Sequence, residues 1–555
     1  MNKIQKFIKG YMFGARAHEE SVIPILLDLF KNFFLDNKQK LFINHNYDIF
    51  RTNKTDNLNK KIILLELNVP PSNTIAFSYL ADQLSKKYNA KLTAFFPRVP
   101  RSFLKKINWK LRNVFGFLPV YSVFKSFGVS SFLTPSLNNY LSKESNRIYK
   151  EQLGLINNKS DLENITIYDV LFGDLIYDYF LKWEMVPTID IKSKKFRTHL
   201  KYCIKLIVYW NNFLVDNDVV AINVSHTVYS NAIPLRIAAK LGIDCFQCNE
   251  SHVYRLTHDN PFAYKEFVYY RKLFSKLNDE EKVSGIKKAK ERIDRRFLGE
   301  VGVDMSYSKK SAFTAPVKDR LLSKTDKIKI LLAPHCFFDS PHPYGINLYP
   351  DVFEWLEELV RISKLTDYEW YVKTHPDFMI ETKSLVEDYF KPHSKFKILP
   401  SETSHLQLVE EGIDFTLTMY GTVGFEYAAM NKTVINASLN NPHLAYGFNI
   451  NPTSREEYTE ILMDLKNVNK PKINLNDVYE YYYMHHLHFN RNWLFENFDL
   501  TENLFALGHG RMGQDTAVYP YWVDNWSKKK DEQILDNLGK FIESGEYRMR
   551  PEKVL

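Results

Sequence analysis

Between residues 367 and 438 four short apolar runs, at 369–372, 396–399, 413–417 and 433–436, alternate with helix-length segments of mixed polarity. That alternation predicts strand–turn–helix units and a parallel sheet covered by helices. Two of the strand ends carry polar chemistry. After the first run comes Lys373-Thr374-His375-Pro376. After the third comes Tyr420-Gly421-Thr422-Val423-Gly424, opening a helix that holds Glu426. Open α/β sheets bind ligands outside the carboxyl ends of their strands, so both clusters are expected to face one crevice.

Such a crevice suits a phosphate. A helix N-terminus preceded by small residues offers N–H groups and a partial positive charge. Gly421 and Gly424 let the backbone come close, and Thr422 can cap the helix and donate its hydroxyl. Lys373 and His375 add donors to the same anion, while Glu426, one turn in, is placed to accept from a ribose. Either cluster alone fits an ordinary α/β domain with a capped helix and a packed histidine. Both in one repeat, in register, point to half of a nucleotide-sugar site.

The K-x-H-P turn, followed about 45 residues later by G-T-x-G-x-E-Y-A and an apolar strand, resembles the donor-binding domain of bacterial capsule and lipopolysaccharide glycosyltransferases. It is most similar to those using CMP-activated acidic sugars, the 3-deoxy-manno-octulosonate (Kdo) transferases, and more distantly to the bacterial sialyltransferases. The likeness covers roughly residues 328–462. In those families an H-P pair and a later Ser/Thr pair hold the cytidine monophosphate. His375-Pro376 matches the first, and Gly421-Thr422 matches the second only loosely, being neither Ser-Ser nor Ser-Thr. The resemblance implies donor-nucleotide contacts from His375, Pro376, Gly421 and Thr422, and the reading of the crevice adds Lys373, Tyr420, Gly424 and Glu426. It also implies an α/β, GT-B-like fold, two Rossmann-like domains facing a cleft.

At 555 residues the chain is too long for one core. The expected division is a helical N-terminal extension (1–55), a Rossmann-like acceptor and catalytic domain (56–320), a nucleotide-sugar donor domain (321–476) and C-terminal helices packing back across both (477–555). The first domain opens β-α-β over 60–96 but lacks G-x-G-x-x-G, which argues against a dinucleotide site. Amphipathic helices are expected over 166–183 and 194–215. Strands at 219–224 and 244–247 then deliver His226 and Glu250, the two candidates for a catalytic base on the wall opposite the donor. The polar, aromatic loop after 328–334 carries His335, Asp339, His342 and Tyr344 and is expected to line the donor pocket. His485, His486 and His488 lack the spacing of metal ligands and are read as aromatic filling.

Four scattered cysteines make no disulfide framework. The lone Cys245-x-x-Cys248 lies in an apolar strand pattern and reads as buried thiols in a reducing cytoplasm. No window approaches 18 apolar residues, and the first 20 residues lack a signal-peptide core. Between Asp82 and Glu144 there are eleven Lys or Arg and no acid. Within the insertion 97–130, Arg98, Arg101, Lys105, Lys106, Lys110 and Arg112 interleave with Trp109 and other apolar residues, which suits an anionic membrane surface more than nucleic acid. The alternative there is a solvated helix face.

The expected function is therefore transfer of Kdo or a related ulosonic acid from a CMP-linked donor to a surface polysaccharide or lipid-linked glycan, at the inner face of the cytoplasmic membrane. No cofactor is expected, and no metal, because the one D-x-D, Asp216-Asn217-Asp218, precedes its strand. The alternatives are a CDP-glycerol-type glycerophosphotransferase, a transferase using a UDP- or GDP-sugar, and a non-catalytic scaffold that binds sugar nucleotide or polysaccharide.

Overall fold

The computed structural model describes residues 35–50, 60–68, 70–98, 119–305, 310–313, 319–377, 380–489, 493–495 and 516–550. Of the expected membrane-facing residues, Arg101, Lys105, Lys106, Trp109, Lys110 and Arg112 lie outside these; Arg98 lies within, with its guanidinium 5.9 Å from the Trp183 ring centre.

The first sheet draws on β1 (Ile62–Glu66), β2 (Lys91–Phe95), β3 (Ser131–Leu133), β6 (Val219–Val224), β7 (Asp244–Cys248) and β8 (Val253–Leu256), after a small hairpin of β4 (Thr166–Ile167) and β5 (Val170–Leu171). Its order is β3-β2-β1-β6-β7-β8, parallel except for β8. The second sheet holds β9 (Lys329–Leu332), β10 (Glu369–Val372), β11 (Phe396–Ile398), β12 (Phe415–Thr418) and β13 (Thr433–Asn436), all parallel, in the order β11-β10-β9-β12-β13. Strands β9, β12 and β13 are buried along their whole length, as expected when helices cover both faces of a parallel sheet. These are two Rossmann-like layers, and the chain has the α/β, GT-B-like architecture.

In each sheet the strand order reverses beside its first strand, and a crevice opens where helices depart in opposite directions. The carboxyl ends there belong to β1 and β6, and to β9 and β12. They deliver Glu66 and Ser225-His226 on one side, Pro334-His335 and Met419-Tyr420-Gly421 on the other. By contrast Asp216-Asn217-Asp218 sits at the amino end of β6, where the Asp218 carbonyl accepts from Ile62 N–H at 2.8 Å.

The expected helix over 166–183 is instead the β4–β5 hairpin followed by helix Gly173–Glu184. Tyr168 and Asp169 both adopt left-handed φ (54° and 58°), the pair a two-residue turn of matching twist demands. Helix Pro71–Tyr88 is buried over its first twelve residues because the C-terminal helix Lys528–Ser544 covers its outer face; Tyr79 Oη donates to Asp531 Oδ1 at 2.7 Å. The chain then closes the exposed edge of β8: Arg255 N–H donates to Tyr547 O and Met549 N–H to Val253 O, each at 2.9 Å.

The two sheets are joined by a buried polar contact. His342, 1% exposed, follows β9, yet both its partners come from the first half. Nδ1 lies 2.5 Å from Asp178 Oδ1 and Nε2 2.8 Å from Glu163 Oε1. Burial alone would lower the His342 pKa, but Asp178 and then Glu163 outweigh it and hold the pKa well above the ordinary histidine range. His342 is thus a clasp between the halves, not part of a donor pocket. Asp351, which accepts from Tyr177 Oη (2.5 Å) and Thr188 Oγ1 (2.6 Å), makes a second cross-contact.

Candidate functional site

A cavity of about 540 Å³ opens at the carboxyl ends of β9, β10 and β12. Lys373, Thr374 and His375 line it from the β10 end, and His335 from the β9 end. Thr418, Tyr420, Gly421, Thr422, Val423 and Glu426 line it from β12 and the following helix. The two motifs expected to share a crevice therefore do share one. Pro376 is buried beside it and is not in its lining. The rest of the wall includes Arg296, Glu300, Gly302, Met305 and residues 310–313 of the connection between the sheets.

Lys373 is 2% exposed, and among the described residues no carboxylate forms an ion pair with it. Its Nζ lies 3.3 Å from His405 Nε2. Burial depresses its pKa to about 8. A cation held this way gains from any anion that enters the cavity. His375 is half-buried and accepts the Asp377 N–H on Nδ1 at 3.1 Å, so its neutral ring carries the proton on Nε2. Burial, then Lys373, lowers its pKa. His335, its pKa pushed down to about 4 by burial, accepts Tyr420 N–H on Nε2 at 3.2 Å and packs against the Tyr420 ring, tilted by 32° with centroids 4.3 Å apart. It works as a neutral support for the β12 turn.

Several roles expected from sequence are corrected. Helix Val423–Ala429 has only seven residues, and Thr422 makes no side-chain cap, so the helix end contributes little field and the positive charge comes from side chains. A Cβ on Gly424 would collide with the His443 ring, and one on Gly421 would sit 2.8 Å from Thr418 Oγ1. At both glycines the space a Cβ would take is filled by the protein's own side chains. Glu426 is 3% exposed and paired with Arg296, which neutralises it; it is not offered to a ribose. Tyr344 packs on Phe267 (5.2 Å) and Tyr420 (6.3 Å), behind the lining. Asp339 is exposed outside the cavity, where Tyr229 Oη donates to it at 2.6 Å and Lys182 lies 3.7 Å away.

That Tyr229–Asp339 bond brings the β6 end of the first sheet against the β9 loop of the second. His226, three residues before Tyr229, is exposed there. Tyr229 has left-handed φ (56°), strain of a kind that clusters at ligand sites. Glu250, two residues past β7, is half-buried and accepts from Ser72 Oγ at 3.3 Å. Burial raises its pKa, with its own backbone N–H and Ser72 working against the shift. Neither His226 nor Glu250 lines the cavity.

Sequence reading missed Glu66. This carboxylate, 2% exposed, accepts Ser225 N–H (2.7 Å), Ser225 Oγ (2.9 Å), Asn231 Nδ2 (2.8 Å) and Asn68 Nδ2 (3.0 Å), and so fixes the turn that carries His226 and Tyr229. A lone acid ending an apolar strand was the available signal. As read from sequence, Cys245 and Cys248 are fully buried, and His485 and His486 pack on Tyr481 and Tyr482 at 5.2 and 4.6 Å.

The chain matches no family profile and no curated protein sequence. Similar solved structures include Thermosulfurimonas dismutans KpsC, as its beta Kdo 2,4 transferase (13% identity, TM-score 0.31, 48% of this chain and 79% of that one). The same protein's beta Kdo 2,7 transferase is similar at 12% identity and TM-score 0.30, covering 54% and 85%. A Methanocaldococcus jannaschii UDP-GlcNAc 2-epimerase in complex with UDP-GlcNAc and UDP is similar at 14% identity and TM-score 0.23, covering 76% and 97%.

Proposed function

We propose that the protein is a glycosyltransferase that moves an acidic sugar, Kdo or a related ulosonic acid, from a CMP-linked donor to a surface polysaccharide or lipid-linked glycan. The observation that carries this reading is the buried Lys373, in no ion pair with a carboxylate among the described residues, beside His375 in a cavity of about 540 Å³. Lys373 and the Nε2–H of His375 meet the donor phosphate and neutralise the charge that grows on it as the glycosidic bond breaks. Thr422, its hydroxyl unused as a cap, adds a further donor. On the other sheet Glu250, its basicity raised by burial, takes the proton from the acceptor hydroxyl. No step in this scheme calls for a divalent ion.

Calorimetry with CMP, UDP and GDP tests the donor. CMP is expected to bind about tenfold or more tighter than the other two. A preference for UDP or GDP overturns the CMP assignment, and a phosphodiester in the product points instead to glycerol-phosphate transfer. Arg98 begins a strongly basic stretch, and we place the enzyme at an anionic membrane on that account. Sedimentation with phosphatidylglycerol vesicles, lost in salt, is the expected result; equal recovery with neutral vesicles removes that part of the reading.

A further inference from the structure

We propose that His405 and Tyr427 are positioning residues for the Lys373 ammonium, a two-step hydrogen-bond relay that fixes where the cavity presents its buried positive charge. Only the ligand's identity rests on the nucleotide reading above; the relay stands on its own contacts. Lys373 Nζ lies 3.3 Å from His405 Nε2, and His405 Nδ1 lies 2.9 Å from Tyr427 Oη. An ammonium only donates, so Nε2 must offer its lone pair. The imidazole proton then sits on Nδ1 and is donated to the tyrosine oxygen. The opposite tautomer, or a charged ring, would set two N–H groups against each other.

The surroundings hold this polarity. His405 is 5% exposed and Tyr427 fully buried, so bulk water does not replace either partner. Burial, then Lys373 and His375, keep the His405 pKa well below the ordinary range, and the ring stays neutral. The residue is also held from the connection between the sheets: the His405 backbone N–H donates to Ala312 O at 3.1 Å, and the Phe313 ring lies 5.6 Å from the imidazole. Of the charged groups around Lys373, Glu426 and Glu402 favour its ammonium form, while burial and Lys383 oppose it. One of the three Lys373 N–H groups is spent on His405, which leaves two for a ligand. Without the relay a four-carbon stem would have to be ordered by the ligand itself, at the ligand's expense.

The test uses the full chain and three variants. His405→Leu removes the acceptor, His405→Gln keeps an amide oxygen that can accept from Lys373, and Tyr427→Phe removes one oxygen while keeping the ring volume. Competitive acylation from neutral to about pH 10, quantified at Lys373 by mass spectrometry, reads the amine's titration without any ligand. In the wild type the midpoint is expected at about 8. It should fall by about one pH unit in His405→Leu and Tyr427→Phe, and stay close to wild type in His405→Gln. CMP affinity, by calorimetry, should fall about tenfold in the first two and be largely kept in the third. Should Leu in the core prevent folding, Tyr427→Phe carries the test alone. An unchanged Lys373 midpoint in folded Tyr427→Phe overturns the relay, as does equal behaviour of the Leu and Gln variants. No CMP binding to wild type, with the midpoints shifted as expected, leaves the relay standing and removes the nucleotide reading.

Discussion

Glu250→Gln is expected to lower kcat by about a hundred- to ten-thousandfold while leaving CMP affinity within about twofold. The substitution keeps size and hydrogen-bonding capacity toward Ser72 but removes the ability to take a proton. Glu250 sits just past β7 on the first sheet, away from the cavity that holds Lys373 and His375, so its loss should not reach the donor phosphate. Its environment also sets a pH signature. Because burial raises the carboxyl pKa, a base at this position is protonated at low pH, and kcat/KM should rise with pH through that raised value. The acid limb should vanish with Gln. Steady-state kinetics across pH, with calorimetry for CMP, decide the matter. If Glu250→Gln retains its turnover and His226→Ala loses it, the base is the exposed histidine of the β6 turn, and the Glu250 assignment falls.

How far the sequence reveals this depends on distance along the chain. Strands β10, β12 and β13 stand out because each is a short apolar run buried on both faces, and their ends place Lys373-His375 and Tyr420-Thr422 with no tertiary information. The partners that decide what those residues do are remote. Glu426 looks like an open carboxylate until Arg296, 130 positions earlier, is seen to cover it. Glu66 has partners 159 and 165 residues away, so its strand context gives only an apolar run with an acid at its end. The wall residues Gly302, Met305 and 310–313 lie in irregular backbone without a period to read. The β4–β5 turn uses Tyr168-Asp169 in place of glycine or asparagine, so the amphipathic pattern runs through it as if it were helix. Local chemistry is legible; the side chain that closes over it is not.

The same distance explains His342, whose partners lie 164 and 179 residues earlier, and it yields a large expected effect on stability. His342→Leu leaves Asp178 and Glu163, 1% and 2% exposed, facing each other without a counter-charge. Breaking a buried pair from one side costs about 3–5 kcal/mol. The sign of the pH dependence follows from the direction of the shift. The folded-state pKa of His342 is raised by its two carboxylates, so its contribution is complete below about pH 6.5, the unfolded value. It is lost as pH rises from there through the folded value, at up to about 1.4 kcal/mol per pH unit. Urea unfolding of the wild type should therefore show stability falling from about pH 6.5 upward, and His342→Gln should lose that slope along with most of the stability. The loss should register first at the contact between the sheets, since both carboxylates belong to one half and the imidazole to the other. A wild-type stability that stays level from neutral pH into the alkaline range would mean the ring is neutral in the fold, and that hydrogen bonds without an ion pair hold the two halves together.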